Sequence, residues 1–279
     1  MNSKRLETKN NTVYWQYGNP KGSVIIFVHG FRGTHHGLEL IASYLSEYRI
    51  IIPDLPGFGE TKPLNNNHSI EDFSEWLHEY IKNLDLKEKP VLLGHSFGSI
   101  IAAGYAKNYA NEISRLILVN PIAVPSSSRS KFSLTKIGLL YSNLGFKLPT
   151  NLAHKWQSAK LPTIVMTISN ARTKDRKLRK FIHSEHLKHF SSFSDVRTLY
   201  QSMNASANNS VLQFASSINI DTLLITGAKD IISSNKEQDN LLEVFPNARM
   251  KTIENVGHLT HYETPDQVAD LVRHFIKSS

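Results

Sequence analysis

Residues 90–98 constrain the fold of this chain more than any other stretch of its sequence. They begin with a proline and the apolar run Val-Leu-Leu at residues 91–93, which suits a buried parallel strand. Gly94-His95-Ser96-Phe97-Gly98 follows directly, and residues 99–110 then predict a helix with small side chains nearest the turn. The sequence therefore places a serine on a sharp turn between a buried strand and a helix.

The two glycines around this serine have a steric reason. We expect the turn to strain the backbone at Ser96, and side chains at Gly94 and Gly98 would collide with the neighbouring strand and helix. The hydroxyl is then exposed above the sheet, at a helix N-terminus whose free N–H groups and positive dipole end favour a developing oxyanion. This G-x-S-x-G pattern, a nucleophile elbow in its strand–turn–helix context, predicts Ser96 as a nucleophile.

Length and composition indicate the class of protein. The 279 residues suffice for one large α/β domain with an insertion, and 40% of them are hydrophobic. No run of 18 apolar residues predicts a membrane span, and residues 1–11 lack the apolar core of an export signal. The absence of cysteine excludes disulfides, thiolate metal sites and a cysteine nucleophile. We therefore expect a globular, cytoplasmic protein.

Apolar strand patterns alternate with helical patterns along most of the chain. The strand patterns cover residues 13–17, 24–28, 50–52, 91–93, 116–119, 222–226 and 249–253. The helical patterns cover residues 35–46, 69–86, 99–110, 235–244 and the chain end after Pro265. Ser69 and Asp72 have the spacing of a capping box. This βαβ rhythm predicts an α/β fold with a mostly parallel central sheet and helices on both faces.

The rhythm stops between residues 121 and 219. No strong strand pattern occurs there, and residues 172–190 fit an amphipathic helix. We therefore predict an α/β core formed by residues 1–120 and 220–279, interrupted by a helical insertion at residues 121–219.

The insertion also carries the excess positive charge. The whole chain has a formal charge of +8, whereas residues 121–219 contain 14 Lys and Arg against three Asp and Glu, or +11. One interpretation is a solvated helical face formed by Lys174, Arg176, Lys177, Arg179 and Lys180. The other is attraction of an anionic substrate, an acyl carrier or an anionic membrane surface. Nucleic acid is not expected, because the cluster lacks a recognised binding motif.

Three residues with catalytic chemistry stand at the C-terminal ends of predicted strands. Ser96 follows the strand at 91–93, Asp230 follows the strand at 222–226, and His258 follows the last strand. Open α/β sheets hold their sites at this edge. We predict that His258 accepts the Ser96 proton, while Asp230 holds the imidazole in the required tautomer.

The order nucleophile, acid, histidine resembles that of the α/β-hydrolase fold family, and the resemblance extends from Val13 to the C-terminus. His29-Gly30-Phe31 resembles the oxyanion-hole loop of the family, which implies backbone N–H donors at Phe31 and Phe97. Residues 53–59 (P-D-L-P-G-F-G) resemble its D-x-x-G-x-G segment, and the insertion resembles its cap domain.

Several other polar residues are predicted to be structural. We expect His29 and His95 to stabilise their loops and Asp54 to order the glycine-rich segment that follows it. His261 is the residue most easily mistaken for the catalytic histidine. The remaining histidines with near-metal spacing, His183, His186 and His189, are interpreted as a solvated helix face, so no metal and no cofactor are predicted.

The predicted function is hydrolysis of a small carboxylic ester through an acyl-enzyme. A serine rather than an aspartate at the elbow argues against haloalkane dehalogenases and epoxide hydrolases of this fold, and Arg32 departs from the H-G-x-P of the latter. A lactonase, a thioesterase, a carbon–carbon bond hydrolase and a cofactor-free perhydrolase stay open, as does a non-catalytic ligand receptor of the same fold. The sequence leaves the oligomeric state open.

Overall fold

A computed structural model describes residues 3–128, 134–190 and 192–278 of the chain. Its centre is an eight-stranded sheet in the order β1-β2-β4-β3-β5-β6-β7-β8. The strands are β1 Lys4–Glu7, β2 Val13–Gly18, β3 Val24–Val28, β4 Arg49–Pro53, β5 Val91–His95, β6 Arg115–Val119, β7 Thr222–Gly227 and β8 Ala248–Ile253. All pairings from β4 to β8 are parallel, whereas β1 and β2 are antiparallel. The predicted mostly parallel α/β fold is confirmed.

Helices cover both faces of this sheet. Those encoded outside the insertion are α1 Glu39–Ser43, α2 Ile70–Asn83, α3 Phe97–Tyr109, α10 Asn235–Val244, α11 Thr260–Glu263 and α12 Pro265–Lys277. Those encoded between β6 and β7 are α4 Leu134–Phe146, α5 Thr150–Gln157, α6 Lys160–Asn170, α7 Arg176–His189, α8 Val196–Asn208 and α9 Leu212–Ala215. Short 3₁₀ segments occur at His35–Leu38, Ala110–Glu112 and Ser126–Ser128.

The pleat of the strands divides the core into two layers. In β3, Ile26 and Val28 belong to one apolar cluster, which includes residues of α2 and α3. The alternate residues Ile25 and Phe27 belong to the other cluster, which includes residues of α1 and α12. Because successive strand side chains point to opposite faces, the continuous apolar run V-I-I-F-V fits a strand that is buried on both sides, as β3 is.

Most sequence-predicted elements are present, with differences at their ends. The capping box at Ser69 and Asp72 is formed, so α2 begins at Ile70. The helix predicted from residue 172 begins only at Arg176, because the Asp175 side chain accepts from the N–H groups of Lys177 and Leu178 and thereby caps it. The helix predicted over 35–46 is a 3₁₀ segment followed by the five-residue α1.

The described part of the insertion contains the helices α4 to α9, joined by irregular segments, and no strand. Residues 129–133 and 191 lie outside the described part, so the domain boundaries at 121 and 219 stay a prediction. In the described part, the backbone of the insertion pairs with the core at one bridge, between Phe58 and Phe193.

Among the described residues no helix combines the length and apolar character needed to cross a bilayer.

Candidate active site

Ser96 occupies the tight turn between β5 and α3. Its backbone lies at φ 53° and ψ −118°, a strained conformation for a residue with a side chain. A Cβ at Gly94 would lie 2.3 Å from the Gly98 carbonyl oxygen, and one at Gly98 would lie 2.2 Å from the Val28 carbonyl oxygen. The predicted steric reason for both glycines is therefore confirmed. Gly94 allows α3 to approach β5, and Gly98 allows α3 to approach β3.

Three hydrogen bonds hold the strained turn. The Ser96 N–H donates to the Val119 carbonyl at 3.1 Å, which ties the turn to the end of β6. The Ser96 carbonyl accepts from both the N–H of Ser99, at 2.8 Å, and its hydroxyl, at 2.5 Å. The Ser99 hydroxyl also accepts from the N–H of Ile122, at 3.2 Å. Ser99 therefore links the turn to the first residues after β6.

The three predicted catalytic side chains meet at the carboxyl edge of the sheet. His258 Nε2 lies 2.8 Å from Ser96 Oγ, and His258 Nδ1 lies 2.7 Å from Asp230 Oδ2. Both distances are those of hydrogen bonds, and the imidazole lies between the hydroxyl and the carboxylate. The histidine and aspartate side chains are almost fully buried, whereas Ser96 keeps part of its surface exposed. A reactant can therefore reach the hydroxyl while the carboxylate is shielded from water.

Asp230 is held as a carboxylate by its partners. Burial alone would raise its pKa, but the nearby His258 charge and hydrogen bonds to the carboxylate together lower the pKa below its ordinary value. The oxygen that does not bind His258 accepts from the N–H groups of Ile232, at 2.7 Å, and Ser233, at 3.3 Å. The carboxylate is thus fixed in an orientation in which it can accept a hydrogen bond from His258 Nδ1–H.

Asn120 is a further buried residue of the site that the sequence analysis did not identify. Its Nδ2 donates to Asp230 Oδ2 at 3.1 Å and to the Gly257 carbonyl at 3.3 Å. Its Oδ1 accepts from the Thr260 hydroxyl at 2.5 Å, and its backbone has a positive φ of 45°. Asn120 therefore links the end of β6 to the loops carrying the aspartate and the histidine. Its position directly after a predicted strand was the available sequence signal.

Of the two predicted oxyanion donors, Phe31 lies on the loop after β3 and Phe97 is the first residue of α3. His29 fixes this loop, because its Nδ1 lies 2.9 Å from the Gly30 carbonyl and its Nε2 accepts from the N–H of Leu55 at 2.9 Å. The rings of Phe31 and Phe97 pack edge-to-face with their centroids 6.1 Å apart. Within residues 3–128, 134–190 and 192–278, neither the Phe31 N–H nor the Phe97 N–H donates to another backbone group. In the described part of the chain, neither amide is thus committed to a backbone carbonyl.

Arg32 connects this loop to the insertion. Its Nε donates to the carbonyl of Phe190 at 3.2 Å, and its Nη2 donates to the carbonyl of Gln157 at 2.6 Å. The guanidinium carbon also lies 5.0 Å from the centre of the Phe190 ring and 5.5 Å from that of Phe193. Burial lowers its pKa to about 10, which leaves the group charged at neutral pH.

The charge of Arg32 is stabilised by helix ends. Gln157 is the last residue of α5, and Phe190 is the C-cap of α7. The C-terminal carbonyls of a helix carry a partial negative charge and lack helical partners. Arg32 itself has a φ of 59°, a conformation that favours glycine. The role of Arg32 as a link between the loop and the insertion was not predicted from the sequence.

Asp54 orders the glycine-rich segment, as expected. Its Oδ1 accepts from the backbone N–H of His35 at 2.8 Å and lies 2.9 Å from His35 Nδ1. Its Oδ2 accepts from the Glu60 N–H at 2.9 Å. A Cβ at Gly59 would lie 1.9 Å from this carboxylate, and the φ of Gly59 is 55°, so this position requires glycine.

Two further histidines, His95 and His261, lie beside His258 without contacting the serine. Burial, with a smaller effect of His258, lowers the pKa of His95 to about 3. Burial, with neighbouring histidines, lowers the pKa of His261 well below its ordinary value. Their ring centroids are 4.0 Å apart, and His95 Nε2 lies 3.5 Å from the His258 carbonyl oxygen. Both are held neutral, in agreement with a structural role.

The interpretation of His183, His186 and His189 as a solvated face is wrong for His186. This residue is buried, and its Nδ1 lies 2.7 Å from the Thr167 hydroxyl oxygen. Burial lowers its pKa to about 4. The reason is that α7 packs this face against α6 and Tyr262 instead of exposing it to water.

Metal-type ligands converge once in the described part of the chain, at His35, His36 and Glu39, whose ligand atoms lie within 4.8 Å. The two imidazole rings have their centroids 3.9 Å apart and are tilted by 39° relative to each other. Glu39 Oε1 already accepts from the Tyr17 hydroxyl at 2.7 Å and lies 3.1 Å from His36 Nδ1. The contacts describe a hydrogen-bonded cluster, and the prediction of no metal stays a prediction.

Comparisons with known proteins agree with this architecture. The chain matches the family model of the alpha/beta hydrolase fold over residues 23–265. It is 26% identical over 280 residues to Lipase 1 of Psychrobacter immobilis, covering 98% of this chain and 83% of that protein. The esterase EaEST from Exiguobacterium antarcticum has a TM-score of 0.79 at 18% identity, covering 99% of this chain and 100% of that chain. The enol-lactonase from Burkholderia xenovorans LB400 has the same TM-score and coverage at 15% identity. At these identities the two solved structures indicate the fold alone.

Proposed function

Because this chain belongs to the alpha/beta hydrolase fold family and is a hydrolase, we propose that it is a serine hydrolase that cleaves a carboxylic ester through an acyl-enzyme. The observation that carries the proposal is the chain of contacts from Ser96 Oγ through His258 to Asp230, at 2.8 and 2.7 Å. The similarity to Lipase 1 of Psychrobacter immobilis supports an ester as the substrate class.

In the proposed first half-reaction, Ser96 Oγ attacks the ester carbonyl carbon while His258 Nε2 takes the hydroxyl proton. Asp230 accepts from His258 Nδ1–H and stabilises the imidazolium, and its lowered pKa keeps it ionised for this task. The carbonyl oxygen becomes an oxyanion that accepts from the N–H groups of Phe31 and Phe97. Collapse of this intermediate breaks the ester C–O bond, and the leaving alcohol takes the proton from His258.

In the second half-reaction, water attacks the acyl-enzyme and gives a proton to His258. The same two N–H donors stabilise the second oxyanion, and its collapse releases the carboxylic acid and returns the proton to Ser96. Every proton removed from Ser96 or from water passes through His258 to the leaving alcohol or back to Ser96, so no cofactor is needed for the balance of the reaction.

We further propose that residues 121–219 form a cap over this site. The hydrogen bonds from Arg32, next to the proposed oxyanion donor Phe31, to the carbonyls of Gln157 and Phe190 support this arrangement. The Phe58–Phe193 bridge is a further contact between the two parts. A cap in this position would form part of the pocket wall and select the acyl group.

Rapid mixing with a short-chain p-nitrophenyl ester tests the proposal. We expect a burst of about one equivalent of p-nitrophenol followed by slower turnover, because acylation precedes hydrolysis of the acyl-enzyme. His258→Ala should lose about three or more decades of kcat, whereas His261→Asn should keep kcat within tenfold. Release of p-nitrophenol without a burst and without dependence on His258 would contradict the proposal.

A further inference from the structure

Helix α6 is amphipathic, but it buries its polar face and exposes its apolar face. Its buried residues are Thr163, Thr167 and Asn170, which are polar. Its exposed side includes Leu161 and Val165, which keep 70% and 51% of their surface accessible. A helix that packs on a protein core normally buries its apolar face and exposes its polar one. Among the residues that the structure describes, the apolar face of α6 is therefore without a packing partner.

The two preceding helices show the same property. Trp156 Nε1 donates to the Tyr141 carbonyl at 3.1 Å, the Tyr141 hydroxyl donates to the Trp156 carbonyl at 2.8 Å, and their rings stack at 4.9 Å. Helices α4 and α5 are thus paired by aromatic and polar contacts, and their large aliphatic side chains stay outside. The exposed apolar residues on and between α4, α5 and α6 are Ile137, Leu140, Leu144, Leu148, Leu152, Trp156, Leu161, Val165 and Ile168.

This exposure is concentrated in one segment. The described residues include 16 exposed large apolar side chains, and nine of them lie within residues 137–168. Scattered apolar residues on a surface are ordinary, whereas this concentration on three successive helices departs from that pattern, and extended exposed apolar surfaces mark contacts with another apolar phase.

The same segment has no negative charge. The sequence contains no Asp or Glu between residues 113 and 174, a stretch of 62 residues. Lys147, Lys155 and Lys160 lie between the exposed apolar side chains and are themselves exposed. A partner of this surface must therefore combine an apolar interior with negative charge at its edge.

We propose that α4, α5 and α6 form a surface that docks on a bilayer containing anionic phospholipid. Apolar side chains enter the boundary between headgroups and acyl chains, while lysines at their margin contact anionic headgroups. A second copy of this chain would bring the same lysines against each other, which disfavours self-association through this face. Arg32 joins the end of α5 to the loop with the proposed oxyanion donor, so docking would bring the proposed active site close to the lipid surface.

Binding of the Ser96→Ala protein to sucrose-loaded vesicles tests this inference without any contribution from hydrolysis. The vesicles contain either phosphatidylcholine alone or phosphatidylcholine with about one third phosphatidylglycerol. We expect sedimentation with the anionic vesicles, weakening as salt increases, together with a blue shift of Trp156 emission. Trp15 is buried in the core and Trp76 is half-buried, so the shift should be absent in Trp156→Phe.

A matched pair of double variants tests which surface is used. Leu161→Ser with Val165→Ser should weaken vesicle binding at least tenfold, because both side chains would enter the lipid. Leu212→Ser with Val244→Ser makes the same chemical change at exposed positions outside α4–α6 and should leave binding unchanged. Replacing Lys147, Lys155 and Lys160 by Gln should cost about fivefold per lysine on anionic vesicles.

Three results would overturn the inference. They are no binding to anionic vesicles at low salt, equal loss of binding in both double variants, and a concentration-dependent dimer that the Leu161 and Val165 substitutions abolish. Because Ser96→Ala is used throughout, none of them bears on the proposed hydrolysis.

Discussion

At the scale of single residues, the site depends on a strained serine held in place by its neighbours. A non-glycine residue at a φ of 53° costs about 1–3 kcal/mol, and the contacts of Ser96 with Val119 and Ser99 maintain it. The benefit is a hydroxyl that lies at the start of α3 and 2.8 Å from the imidazole. The glycines at positions 94 and 98 make this geometry possible. The strained backbone lowers the stability of the fold, but it places the Ser96 hydroxyl where it can react.

Gly98→Ala should destabilise the protein, because the new Cβ would lie 2.2 Å from the Val28 carbonyl oxygen. Overpacking of this kind costs about 1–3 kcal/mol, so the melting temperature should fall by several degrees. Gly138→Ala is the matched control, since nothing lies within 4 Å of its Cβ and alanine favours the helix. Thermal unfolding of both variants measures this, and equal melting temperatures would disprove the steric argument.

Asn120→Ala should lower kcat by about tenfold to a hundredfold with little change in KM. The reason is that the side chain positions Asp230 and the histidine loop without contacting the substrate, and a hydrogen bond to a charged group contributes about 1.5–3 kcal/mol. Asn209→Ala, which removes an amide bonded to the Ala205 carbonyl, serves as the control. Steady-state kinetics with one ester measures both effects. A change confined to KM would assign Asn120 to substrate binding instead.

At the scale of elements, the charged side chain of Arg32 links the helical insertion to the core. Arg32 donates to the C-terminal carbonyls of two helices and lies over two aromatic rings. Phe31 directly precedes Arg32, so only three backbone bonds separate the two residues. The position of the insertion and the orientation of the proposed oxyanion donor at Phe31 are therefore coupled. Helix ends thus take the place that a carboxylate would occupy in an ordinary ion pair.

Arg32→Lys should lower kcat/KM by about tenfold or more, because an ammonium cannot reproduce the fork that bonds both carbonyls. The insertion should also become more sensitive to limited proteolysis. Arg249→Lys, at an exposed ion pair with Asp221, should change neither property. Unchanged kinetics and unchanged proteolysis of the Arg32 variant would remove the proposed coupling.

The sequence predicted seven of the eight strands of the described sheet, the elbow and the three residues that meet there, because each follows from local rules. The strand β1 and the order of the strands within the sheet were not predicted. Apolar runs identify buried strands, and the carboxyl ends of parallel strands meet at one edge. The roles of Asn120 and Arg32 were not predictable, because they depend on which distant carbonyls and carboxylates the fold brings near. The burial of His186 was missed for the same reason: periodicity shows that a helix has faces but not what packs on them.

At the scale of the whole molecule, the chain buries several histidines in neutral form. Burial is the first cause of the lowered pKa values of His29, His95, His186 and His261. In the unfolded chain such side chains have a pKa of about 6.5, so below that pH the unfolded state binds more protons than the folded one. The free energy of unfolding therefore falls as the pH decreases through this range towards the folded-state values.

The free energy of unfolding should be lower at pH 5 than at pH 7, by about 2 kcal/mol for each histidine that stays neutral in the folded state. Urea unfolding at the two pH values measures the difference. His186→Gln should reduce the difference, whereas His274→Gln, at an exposed position, should not. Equal stability of the wild-type protein at pH 5 and pH 7 would show that these histidines are not buried in neutral form.

The central proposal, a nucleophilic serine at the elbow, is tested most directly by covalent labelling with a fluorophosphonate. Intact mass and peptide mapping should show a single adduct on Ser96 in the wild-type protein, formed because His258 and Asp230 activate this hydroxyl. Ser96→Ala should remain unlabelled while keeping its fold by circular dichroism. An adduct on any other residue, or equal labelling of Ser96→Ala, would contradict the assignment of Ser96 as the nucleophile.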